Sequence, residues 1–249
     1  MTIDLYGELR TAPPPLATPA RALAIGAHPD DIEFGAGGTL ARWAAAGTEV
    51  TMLVITDGSK GTWDPDRDPD ELAADRRREQ AAAAASLGAH SVIHLGEVDG
   101  ELEVTMELRK RLCEEIRRAR PDVLLTHDPW QRYQLHPDHR AAGTVTVDAV
   151  VAARDPLFFP DQQVAPHRPG AVLLWSAQDP DHAEPIASTL DIKIEALLCH
   201  SSQGVTTMGG ADQSETQRRE FAARMRARAE EVGAAVGLDM AERFKRLTP

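Results

Sequence analysis

The chain is poor in cysteine, in positive charge and in long apolar runs, and each shortage excludes something. Its two cysteines, Cys113 and Cys199, lie far apart with no C-x-x-C or Cys/His spacing. That leaves no disulfide framework and no thiolate metal knot, and the pair reads as reduced residues of a cytoplasmic protein. Twenty-seven Lys and Arg stand against 39 Asp and Glu, a net charge of −12. So acidic a chain has no basic footprint for a phosphate backbone, and no nucleic-acid partner is expected. No stretch is apolar for long enough to span a membrane. The first twenty residues carry Glu8 and Pro13-Pro14-Pro15 where a signal peptide would be apolar. There is no repeat of solenoid period either.

At 249 residues the chain fits one domain, 1–249, that buries roughly 70–75% of its unfolded surface and folds without staples. Residues 1–20 read as an extended lead. Apolar runs at 22–27 and 50–55 read as buried strands, and 91–95, 122–126 and 171–175 as further strands. Between them helices are predicted from Gly35, over 73–87 (closed by Gly88), from Val104 to before Pro121, and over 136–153. Further helices follow at 191–198 and 214–236. Lys60–Asp70 and 154–170, rich in proline and polar residues, read as loops. Strands alternating with helices predict an α/β fold, a mostly parallel Rossmann-like sheet with helices on both faces.

Two words stand out. His28-Pro29-Asp30-Asp31 ends the first strand, and His136-Pro137-Asp138-His139 opens a helix: six ionisable, metal-seeking side chains in eight positions. In open parallel sheets ligands sit beyond the carboxyl ends of the strands, where His28 must lie. Proline is favoured at the first helical position, so His28 and His136 are expected at capping positions, with Asp31 and His139 a turn later. Imidazole and carboxylate without thiolate suit one zinc ion, and iron, cobalt or nickel would also fit. Four ligands (His28, Asp31, His136, His139) would close the site as a structural centre. Three would leave a seat for a reactive water, and spacing does not choose between them. Gly35-Ala36-Gly37-Gly38 is not a dinucleotide fingerprint, since Leu40 stands where its last glycine belongs and two carboxylates sit nearby.

Gly26 to Asp31 with Glu33 and the glycine cluster resembles the first signature of the PIG-L/LmbE-like zinc-dependent N-acetylglucosaminyl deacetylases, and His136–His139 is similar to the second. Thr56-Asp57-Gly58 and the Lys193…His200-Ser201-Ser202-Gln203 segment also resemble stretches of members. The resemblance implies His28, Asp31 and His139 as metal ligands and Asp30 as general base. It implies His136 as general acid or oxyanion stabiliser, held protonated and oriented by Asp138. Arg76 matches a substrate-contacting arginine of the family, though with Arg77 and Arg78 it equally fits a solvated helix face. Tyr133 falls in a loop that leans over the metal in some members, here one residue further from the histidine. His200 matches a segment near the pocket. His127, at a strand end close to the second word, is a candidate supporting contact.

The expected activity is therefore zinc-dependent hydrolysis of the N-acetyl amide of an N-acetylglucosamine-type sugar or conjugate. An amidase acting on a thiol–sugar conjugate, or a non-catalytic metal-stabilised sugar-binding domain, are the alternatives. Oligomeric state is left open.

Overall fold

The computed structural model describes residues 14–210 and 214–249; the start of the expected extended lead lies outside them, and residues 14–19 carry no regular structure. Five parallel strands are β1 (Arg21–Gly26), β2 (Glu49–Thr56), β3 (Ser91–Glu97), β4 (Val123–His127) and β5 (Ala171–Trp175). They stand in the order β3-β2-β1-β4-β5, with Ala24 beside Met52 on one side and Leu125 on the other. Six helices cover them: α1 (Asp31–Ala45), α2 (Pro69–Leu87), α3 (Met106–Ala119), α4 (Pro137–Arg154), α5 (Leu190–Leu198) and α6 (Glu215–Val236).

The period-2 alternation of the strands sorts the core into two layers. Ala22, Ala24, Met52 and Val54 face Ile32, Leu40 and Trp43 of α1 and Leu87 of α2. Leu23, Ile25, Leu53 and Ile55 face Leu108, Leu112 and Ile116 of α3 and Val145 and Ala149 of α4. Helices thus lie on both faces, as continuous apolar strands require.

Two strands were not expected. β6 (His182–Pro185) and β7 (Ala241–Leu247) extend the sheet antiparallel past β5. Their composition hides them, because His182, Glu184 and Glu242 are polar and yet buried. Each is compensated: His182 Nε2 and Arg42 meet Glu184, while Glu242 accepts from Lys193 Nζ, Thr39 Oγ1 and the N–H of Gly38. α1 also starts at Asp31 rather than at the glycine cluster, and α2 starts at Pro69, inside the expected loop.

Chain direction fixes the site. β1 leads through α1 to β2 on one side, and β4 returns on the other, so the strand order reverses between β1 and β4. A cleft opens at such a reversal, beyond the carboxyl ends. His28 follows β1, and His127 is the last residue of β4.

Candidate active site and metal centre

The second word is built as expected. His136 is the residue before α4, in extended backbone, and Pro137 is at its first turn. The first word differs: α1 is preceded by Asp30, not His28, and Asp30 has φ of 97°. A non-glycine residue held there stores of order 1–3 kcal/mol of strain, a cost found mostly at functional sites. The tight turn (Asp31 N–H to His28 O, 3.3 Å) folds Asp31 back onto His28.

Asp31 is the hub. Its Oδ2 accepts from the His28 N–H at 2.7 Å and lies 3.2 Å from both His28 Nδ1 and His127 Nε2. Its Oδ1 lies 3.2 Å from His139 Nε2. The His28 and His139 rings are 5.2 Å apart, and His136 lies 4.6 Å from His28 and 4.7 Å from His139. The two words, 108 positions apart in the chain, meet. Donor atoms of His28, His136 and His139 fall within 4.8 Å of one another, as do those of Asp31, His127 and His139 and of His28, Asp99 and Asp138.

Hydrogen bonding distinguishes side chains that could hold an ion from those already engaged. Trp175 Nε1–H can only donate, and it reaches His127 Nδ1 at 3.1 Å. A ring that accepts there carries its proton on Nε2, facing Asp31 Oδ2, and burial holds its pKa below the usual value. Nδ1 is engaged by the indole, and Nε2 lies against Asp31 Oδ2 with the Ala27 N–H 3.3 Å away, so both ring nitrogens of His127 have partners inside the protein and the ring braces Asp31. His28 Nε2 faces Asp138 Oδ2 at 3.0 Å and Asp99 Oδ1 at 3.1 Å. A carboxylate on one ring nitrogen is how proteins orient a ligating imidazole, and with Nε2 so held, Nδ1, the atom facing Asp31, is the one that could take an ion. Asp138 itself is fully buried and accepts from the N–H of Gly100 at 2.7 Å and of Leu102 at 3.3 Å.

Burial alone would lower the His28 pKa, but the hydrogen bonds to Asp138, Asp31 and Asp99 outweigh it and hold the ring well above its usual value. Asp31, despite burial, is held well below the carboxylate range by His139 and His127. Asp30 moves the other way: burial, partly opposed by Arg76, pushes its carboxyl up to about 6. Two adjacent aspartates thus have opposite proton affinities, the separation expected of a ligand beside a base.

Four expectations are revised. Asp138 orients His28, not His136, whose Nδ1 is buried without a partner. Burial, with the rings of His28 and His139, lowers the His136 pKa in place of the expected rise. His200 is fully buried and touches no solvent, so it is not a substrate contact. Tyr133 is 86% exposed and is not among the residues lining the cleft. Arg76 is buried, unlike its solvated neighbours Arg77 and Arg78. Its guanidinium donates to Gly58 O at 3.0 Å and Pro29 O at 2.6 Å while reaching the cleft wall. Gly58, at φ 70°, and Gly61 are the cradle, where a Cβ would come within 2.7 and 2.3 Å of the guanidinium.

The cleft measures about 410 Å³ and is lined by His28, Asp30, Asp31, His136 and His139, with Trp63 and Asp99 among its other walls. Asp99 was not singled out from the sequence; its only signal is an Asp-Gly turn after the third parallel strand, at the same sheet edge.

Comparison with known proteins agrees with this geometry. Residues 23–150 match the family model described as PIG-L, GlcNAc-PI de-N-acetylase. The chain belongs to the PIG-L family. The matched span holds both words, most of β1, all of β2 to β4 and most of α4. The PIG-L chain is 37% identical to a diacetylchitobiose deacetylase of Thermococcus kodakarensis over 186 residues, 74% of this chain and 70% of that one. It is 34% identical over 169 residues to a 1D-myo-inositol 2-acetamido-2-deoxy-alpha-D-glucopyranoside deacetylase of Kineococcus radiotolerans, 55% of this chain but under half (46%) of that relative. Its fold matches the structure of N,N'-diacetylchitobiose deacetylase from Pyrococcus horikoshii with a TM-score of 0.83 and 29% identity, covering 92% of this chain and 84% of that one. Among the described residues no helix is long and apolar enough to cross a membrane.

Proposed function

We propose that the protein is a zinc-dependent deacetylase that hydrolyses the N-acetyl amide of an N-acetylglucosamine-containing substrate, releasing acetate and a free amine, in the cytoplasm. The observation that carries this reading is the convergence of the two words, so that His28, Asp30, Asp31, His136 and His139 line one cleft with Asp31 between the His28 and His139 rings. Relatives that act on acetylated glucosamine derivatives support the substrate class.

The donor set fits a borderline cation: the His28 and His139 imidazoles and the Asp31 carboxylate converge with no thiolate among them. His28, Asp31 and His139 would hold it. When bound, zinc supplies a nucleophile at neutral pH and polarises the acetyl carbonyl. Asp30, its carboxyl near neutrality, accepts the proton released during attack and returns it to the leaving amine. His136, which also lines the cleft beside His28 and His139, stabilises the charge that develops on the carbonyl oxygen. Trp63, 75% exposed within the cleft wall, offers an aromatic face to the ring of the substrate.

Acetate release from a panel of N-acetylglucosamine derivatives, measured with the metal-loaded protein and again after chelation, tests this. The expected result is metal-dependent acetate release from at least one glycoside. A metal-loaded protein that releases none would overturn the reading in favour of a non-catalytic binding domain.

A further inference from the structure

Behind the cleft lie three side chains that the mechanism leaves unused: Gln80, Glu33 and His200, each fully buried. The Pro29–Asp30 peptide is gripped from both ends by α2. Arg76 donates to its carbonyl, and one turn further along α2 Gln80 Oε1 accepts the Asp30 N–H at 3.1 Å. Gln80 Nε2 donates in turn to Glu33 Oε1 at 2.6 Å, and that same oxygen lies 3.6 Å from His200 Nε2. This arrangement has only one sense. Turning the amide over would set its NH2 against the Asp30 N–H and its oxygen against the Glu33 carboxylate.

We propose that Gln80, fixed in orientation by Glu33 with His200 behind it, is a positioning residue that holds Asp30 in its left-handed conformation for proton transfer. The inference rests on Asp30 being the base. Gln80 lines no part of the cleft, so it acts through Asp30 and not on the substrate. Without it, Asp30 loses the partner of its N–H and can relax toward ordinary backbone, swinging its carboxylate away. Metal binding runs through the side chains of His28, Asp31 and His139, so it is expected to survive.

The test is a charge swap in the metal-loaded protein. Gln80→Glu sets a carboxylate against Glu33 and should lower kcat roughly 10- to 100-fold, the range typical of supporting residues, with KM and metal content unchanged. Adding Glu33→Gln restores one donor and one acceptor in reversed order and should recover most of kcat. Gln80→Met, of similar length, should lower kcat likewise and abolish protection of the Asp30 amide in hydrogen exchange, giving a second route if the charged variant does not fold. Unchanged kcat in Gln80→Glu or Gln80→Met would overturn the proposal, as would a folded, metal-loaded double variant that stays as slow as Gln80→Glu. A wild-type protein that releases no acetate is a different result: it removes the deacetylase reading, and with it the catalytic purpose of the lock.

Discussion

His28 Nε2 lies 3.0 Å from Asp138 Oδ2, so the second half of the site holds the first by its back. The contact joins the end of β1 to the first turn of α4 across 110 residues. It also explains why Asp138 is fully buried although it opens a helix. Gly100 and Leu102 donate to it from the turn after β3, so three segments converge on one carboxylate. Asp138→Asn keeps the shape but weakens the acceptor that fixes the His28 ring. We expect metal affinity to fall roughly 10- to 100-fold, as for other carboxylates behind a ligating histidine. Competition titration against a chelator of known affinity measures it, and an unaltered dissociation constant would show that Asp138 serves only the backbone.

With His28 as a ligand, as proposed, the same carboxylates should make metal binding pH-dependent with a definite sign. In the metal-free protein His28 keeps its proton to higher pH than usual, while Asp31, Asp99 and Asp138 stay ionised to lower pH than usual. A raised histidine stabilises the metal-free fold below its unfolded pKa, and that gain is lost as pH rises through the folded value. The depressed carboxylates stabilise it above their unfolded values, and that gain is lost only in acid. A ligating His28 must free Nδ1, so binding expels a proton and affinity should climb from neutral pH up to the raised value. Calorimetric titration in buffers of different ionisation enthalpy should detect proton release per ion bound. Affinity that falls with rising pH over this range would contradict the assignment of His28.

Asp30→Asn separates binding from chemistry. The amide keeps the size of the carboxylate but cannot accept the proton, and general-base catalysis contributes about 10²–10⁴-fold. Turnover should fall by that factor while metal content stays at the wild-type level. Metal analysis beside acetate release checks both halves, and an active Asp30→Asn protein would return the base to another residue.

His139→Ala and His136→Ala should part company. His139 Nε2 faces Asp31 Oδ1 on the ligand side, whereas His136 makes no hydrogen bond through Nδ1. We expect His139→Ala to lose the metal. We expect His136→Ala to keep it while turnover falls roughly 10²–10³-fold, the cost of deleting one oxyanion donor. Equal loss of metal in both would make His136 a fourth ligand and close the site.

Much of this was legible in sequence for a physical reason. β1, β2, β4 and β5 are buried on both faces and therefore read as continuous apolar runs, while β3 is the half-buried edge of the sheet; His28 and His136 announce themselves by standing beside proline. What stayed hidden depends on partners distant in sequence. β6 and β7 carry charges whose neutralising groups, Arg42 and Lys193, sit on α1 and α5. Gln80 is one polar residue on an alanine-rich helix, and nothing around it in the chain says that its amide faces Asp30. Asp138 was read with its sequence neighbour His136, yet the turn of α4 points it to His28. His127 was noticed for its place at a strand end, and only the Trp175 indole fixes its proton.

The glycine cluster bears on that last point, because its purpose is close packing rather than phosphate binding. A Cβ at Gly35 would come within 2.5 Å of the Trp175 ring, and one at Gly38 within 2.8 Å of Ile186. Trp175 is the residue that sets the His127 tautomer, and His127 in turn braces Asp31. Gly35→Ala should therefore act twice. Overpacking costs about 1–3 kcal/mol, which thermal or urea unfolding would register. Displacing the indole removes the donor to Nδ1 and lets His127 rotate its proton away from Asp31, so metal affinity should fall as well. Trp175→Phe relieves no clash but deletes the same donor, and it should reproduce the loss of affinity with a smaller loss of stability. If Gly35→Ala lowers stability while both variants bind metal as tightly as wild type, the chain of contacts from the glycine to Asp31 carries packing alone.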